Sequence, residues 1–98
     1  MRPDRGKCLS AAVAAWVLAW GSQGGDVTAW TVWAACTELG LTDRKRAAFE
    51  YGWGWLKPLV GSAVEIYEHP GAFAAGIEAR AIYDRAIKSQ GVATDDTR

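Results

Sequence analysis

The chain has little of what catalytic and metal sites are usually built from: two cysteines, one histidine and one methionine in 98 residues. A nucleophilic triad needs a base beside its nucleophile, and the single His69 stands in a Glu68-His69-Pro70-Gly71 stretch with no Ser or Cys next to it. One imidazole and two thiols fall short of a zinc site unless carboxylates complete it. Gly52 and Gly54 lack the further glycines and the Lys-Ser/Thr pair of either nucleotide-binding fingerprint. Glu65 and Glu68, placed on a strand, would point to opposite faces and make no working carboxylate pair. The expectation is a protein that is not an enzyme and uses neither cofactor nor metal.

An excess of either charge is also missing. Eleven Lys and Arg balance eleven Asp and Glu, so no global field draws the chain to nucleic acid or membrane, and any polyanion contact must come from a local patch. Cys8 and Cys36 have neither metal-ligand spacing nor the numbers of a disulfide framework, which points to two unpaired thiols in a reducing, cytoplasmic compartment. The apolar run over residues 9–20 is shorter than the roughly 18–20 residues of a membrane span. Arg2, Arg5 and Lys7 before it imitate a signal peptide, but Asp4 interrupts them and Gly21-Ser22-Gln23 lacks the small-x-small cleavage pattern. The run therefore reads as a buried first helix, with no membrane partner.

What is present is a half-hydrophobic composition with six Trp and 11 Gly, enough apolar bulk for one folded domain and too little length for two. We read residues 1–8 as a flexible basic arm, 9–90 as the compact domain and 91–98 as a disordered tail. Helix 1 is apolar on nearly every side and should be central. The glycine cluster at 21–25 ends it, Asp26 offers a cap for helix 2, and Gly40 supplies a left-handed stop. In helix 2, Val27, Trp30, Trp33 and Ala34 fall at helical spacing. Thr42 opens a third helix over 42–57, whose Phe49, Trp53, Leu56 and Val60 recur as an amphipathic stripe up to Pro58 and just beyond. Val64 and Ile66, then Phe73, Ala75 and Ile77, alternate around a His-Pro-Gly turn and read as a β-hairpin, with a helix beginning at Gly71 as the alternative. Ile82, Tyr83, Ala86 and Ile87 mark a last helix over 79–89, stopped by Gly91.

The order of these elements resembles a winged helix-turn-helix domain across residues 10–78. Trp33-Ala34-Ala35-Cys36-Thr37-Glu38-Leu39-Gly40-Leu41 matches its second helix and turn, and Thr42-Asp43-Arg44-Lys45-Arg46-Ala47-Ala48-Phe49 matches the start of its recognition helix. The fold implied is mainly α with a small β-hairpin, a three-helix core plus a C-terminal helix; an all-α bundle of four to five helices is the alternative. The function implied is sequence-specific binding of double-stranded DNA by a homodimer, as a small transcriptional regulator or replication accessory.

The residues support that expectation in their own terms. Cations in the first turn of a helix suit guanine acceptors in the major groove, and Arg44, Lys45 and Arg46 are placed there. Thr42 suits a phosphate oxygen, Asp43 a cytosine amino group or one of the arginines, and Lys57 the backbone. Arg2, Arg5 and Lys7 are candidate arm contacts. The competing expectation is a non-catalytic protein-binding module, such as a small phage or mobile-element protein that inhibits a host machine. Zero net charge, the acidic Glu65 and Glu68 and the tryptophan stock favour it. Most tryptophans should fill the core; Trp55 lies off the apolar stripe and is the candidate anchor, with Tyr83 and Ile87 of the last helix as further interface residues.

Overall fold

The computed structural model describes the backbone over residues 5–54 and 64–95, with side chains over 9–54 and 64–89. It is an all-helical arrangement of α1 (Arg5–Ser22), α2 (Ala29–Glu38), α3 (Asp43–Trp53), α4 (Val64–Glu68) and α5 (Pro70–Asp95). No strand occurs among the described residues, so the hairpin wing expected over residues 64–77 is replaced by α4 and the first turns of α5. The architecture agrees with the alternative, an all-α bundle.

The reason lies in Pro70 and in the alanines after it. Proline at the first helical position loses only an N–H that would have no partner, and its fixed φ suits the helix. The His69 carbonyl accepts from Ala72 N and Phe73 N, both at 3.1 Å, while His69 N closes α4 on Glu65 O at 2.8 Å. What looked like turn chemistry is a helix junction. The apparent alternation then dissolves: Ala75, Gly76 and Ala79 are buried at a spacing of three to four, whereas Ile77 is half exposed. The helix expected over 79–89 is the middle of α5, which passes through Gly91 and runs to Asp95.

Other boundaries also move. α1 begins at Arg5, inside the segment read as an arm, and is one-sided instead of enclosed. Ser10, Val13, Ala14 and Val17 are buried while Ala11, Ala15 and Ala19 face solvent, because alanine adds little apolar area to either side. The cap of α2 is Thr28 and not Asp26. Its hydroxyl accepts from Trp30 N at 3.2 Å, and Thr28 N donates back to Thr31 Oγ1 at 3.1 Å, a reciprocal capping box. Gly40 does end α2 as expected. With φ of 87° it lets Gly40 N reach Thr37 O and Leu41 N reach Cys36 O, each at 3.0 Å, the two bonds of a Schellman stop. α3 closes at Gly54, earlier than expected; Trp55, Leu56, Lys57 and Val60 lie outside the described residues.

The core gathers Val13 and Val17 of α1, Val32, Ala35 and Cys36 of α2, Phe49 and Trp53 of α3, and Ala75 and Ala79 of α5. Its tightest point is the crossing of α3 and α5. A Cβ at Gly52 would stand 2.0 Å from Phe73 O, and one at Gly76 would stand 2.1 Å from Phe49 O. Each glycine admits the other helix's backbone, which is why two helix-weakening residues are used there. Ser10 Oγ donates to Ala75 O at 2.8 Å and ties α1 to the same stretch of α5. Arg80 of α5 donates to Trp53 O at 3.0 Å, giving a terminal carbonyl of α3 a charged partner.

Candidate docking surface on α2 and α3

The α2–α3 pair is joined by residues 39–42, and its geometry decides which of its side chains a partner can meet. Thr31, Val32, Ala35 and Cys36 form the buried stripe of α2. Trp30, Trp33, Ala34 and Thr37 follow the other stripe, at spacings of three, one and three, which places them on a common outer face. Trp30 is thus displaced from the inward role that its helical spacing suggested, while Trp33 stays half-buried. Trp30 is 63% exposed. Its ring meets Trp33 edge to face with centroids 5.5 Å apart.

Beneath Trp33 lies Arg46. Its guanidinium carbon is 4.7 Å from the Trp33 ring centroid, Nη1 donates to Thr37 Oγ1 at 2.9 Å, and Nη2 pairs with Asp43. Thr37 Oγ1 in turn donates to Trp33 O at 2.8 Å. The residue is only 7% exposed, so the cation expected to enter a DNA groove is instead a buried strut between α3 and α2. Burying a guanidinium is tolerable here because it has a carboxylate, a hydroxyl and an aromatic face.

The remaining sequence-predicted contacts are scattered. Arg44 pairs with Glu68 and stands 3.7 Å from Glu65, so α4 holds its Nη1 although its side chain is 58% exposed. Lys45 is exposed and makes no ion pair among the described residues. Thr42 caps α3 without a side-chain hydrogen bond. Asp43 remains exposed beside Arg46. Arg5 and Lys7 fall in the first turn of α1, and Arg2 lies outside the described residues. Tyr83 packs against the core, its ring 5.3 Å from that of Trp53, whereas Ile87 is 43% exposed.

The other end of this face is set by the loop over residues 23–28. The Asp26 carbonyl accepts from Trp20 Nε1 at 2.9 Å and from Thr31 Oγ1 at 3.0 Å, binding the end of α1 to the start of α2. Trp20 stacks on Trp16 at 6.3 Å and is 44% exposed. Two exposed indoles therefore flank one anchored loop. Sequence reasoning singled out Trp55 and passed over Trp30. The signal that finds Trp30 is the pair Thr28 and Thr31: once they are read as the capping box, the inward stripe shifts to Thr31, Val32, Ala35 and Cys36.

Behind the face, Cys36 is a buried free thiol. Burial, with the nearby Glu50 carboxylate adding and Arg46 partly opposing, pushes it from an ordinary 9.0 up to about 12. It is chemically quiet at neutral pH, since the thiolate is the nucleophile. Among the described residues no group of His, Cys, Asp and Glu could hold a metal ion, and no helix is long and apolar enough to cross a membrane. No family model, curated protein or solved structure matches the chain.

Proposed function

We propose that this chain is a non-catalytic protein-binding module whose anchor is the outer face of α2, with Trp30 as its most exposed aromatic. The observation that carries this reading is the pairing of exposure with a packed seat: Trp30 stands 63% exposed yet is seated against Trp33, which lies over the buried Arg46. Leaving most of an indole in water forgoes on the order of 2 kcal/mol of burial. A partner that covers the ring recovers that term and meets little ordering cost, because Trp33 and Arg46 already fix the seat. Exposed tryptophan is the residue type most often found at interface hot spots.

Duplex DNA is the competing partner, through the exposed Lys45 and Arg44. It is less favoured because Arg46 is spent internally and the carboxylates of α4 stand against Arg44. A reducing, cytoplasmic setting belongs to the proposal and accords with the buried free thiol of Cys36.

Affinity capture from an extract of the native cell, washed at about 1 M salt where charges are screened beyond about 3 Å, tests it. The proposal expects one retained protein that is lost with Trp30→Glu and kept with Lys45→Ala. Recovery of nucleic acid that Lys45→Ala abolishes and Trp30→Glu leaves intact would refute it.

A further inference from the structure

We infer that the segment recognised by the α2 face is cationic: an exposed arginine- or lysine-bearing stretch of the partner, with a guanidinium or ammonium group placed on Trp30. This deepens the docking proposal and rests on it. Three observations lead there. From Cys8 to Asp43 the chain contains no Lys, Arg or His, so neither α2 nor the loop before it offers a positive side chain. The acidic residues of that stretch are Asp26, Glu38 and Asp43, all exposed. Asp26 lies at the N-terminal end of α2 beside Trp20 and Thr31, Glu38 is the last residue of α2, and Asp43 reaches Arg46 beneath the Trp33 end. Asp26 and Glu38 thus place carboxylates at both ends of an aromatic surface, while Asp43 is already paired with Arg46. Trp30 and Glu38 are separated by about 12 Å of helix, a length that a few residues of extended chain span.

The second observation is that this aromatic pair already binds one cation. Arg46 sits 4.7 Å from the Trp33 ring centroid. The attraction between a guanidinium and an indole face is therefore in use on the inner member of the pair, while the outer member, Trp30, stays open to solvent. The third is the capping box. Thr28 Oγ1 accepts from the Trp30 amide and Thr31 Oγ1 from the Thr28 amide, so the end of the helix nearest Trp30 has fewer open amides to offer an anion.

Titration of the intact chain with three short peptides, one arginine-rich, its all-glutamine counterpart and one glutamate-rich, tests the inference by following the indole N–H resonances. The arginine-rich peptide should bind and shift Trp30. Trp30→Ala should weaken it at least about tenfold, Trp30→Phe should restore part of the affinity, and Trp30→Leu should not, since an alkyl group has no π face. Asp26→Asn and Glu38→Gln should each weaken it about twofold and flatten its salt dependence. Binding of the glutamine or glutamate peptide through Trp30 with equal strength would overturn the cationic assignment while leaving the docking face in place. Absence of any Trp30-dependent peptide binding would overturn the assignment too, and loss of Trp30-dependent protein capture as well would remove the docking face itself.

Discussion

The α3–α5 crossing and the outer face of α2 use the smallest and the largest side chains for opposite ends. At the crossing, Gly52 and Gly76 have no side chains, so that two backbones meet. On α2, Trp30 carries the bulkiest side chain into solvent and contributes little to the core. On the proposed reading, stability and recognition are housed in separate places, with Arg46 as the strut between α3 and the base of the aromatic pair. The lesson is that exposed bulk on a rigid seat and buried absence of bulk are two halves of one design. Substitutions should separate them.

The largest effect belongs to the crossing. Gly76→Ala puts a Cβ against Phe49 O, where backbone and not a flexible side chain must yield, so the helices must part; a loss of about 3 kcal/mol or more is expected in urea unfolding. A loss below about 1 kcal/mol would break the first half of the comparison. Arg46→Ala should cost about 2 kcal/mol, through lost packing on Trp33 and the lost bond to Thr37, and should also weaken partner binding because Trp33 loses its seat. It is the one substitution expected to affect both regions.

Next comes a pH effect from the inner side of α2. The folded Cys36 thiol is raised from 9.0 to about 12, with burial the main cause. Below pH 9 both states keep this proton; above it the unfolded chain releases it and the folded chain does not. The contribution is therefore full at neutral pH and is lost as pH rises from about 9 to about 12, by about 1.4 kcal/mol per pH unit. The difference in unfolding free energy between wild type and Cys36→Ala should show that slope, and a flat difference would contradict it. Glu68→Gln should change stability by less than about 0.5 kcal/mol, since Arg44 and Glu68 are both substantially exposed. It should also leave protein capture unchanged, because α4 belongs to neither region.

The helices and the α2–α3 turn were legible in the sequence where a residue had one physical use. Gly40 could serve only as a left-handed stop, and Phe49 and Trp53 sit on the buried face that their spacing implied. The hairpin was misread because Phe73, Ala75 and Ile77 satisfy a period of two by coincidence, while Pro70 marks a helix start as readily as a turn. The role of Gly76 depends on Gly52, which is distant in sequence and adjacent only in the fold. Arg46 shows the same limit. A cation in a first helical turn reads as exposed, and only Trp33, Thr37 and Asp43 together make its burial tolerable. The tryptophan face was hidden because aromatic residues at helical spacing suggest a core, and a shift of one position in the cap turns the stripe outward.

The central claim is that recognition resides in Trp30 and stability elsewhere. The direct measurement takes one preparation of Trp30→Ala and records both its thermal midpoint and its retention of the partner protein. A midpoint within about 4 °C of wild type, corresponding to about 0.5 kcal/mol for a domain of this size, is expected together with loss of the partner. An unchanged partner, or a fall in midpoint as deep as that of Gly76→Ala, would contradict it.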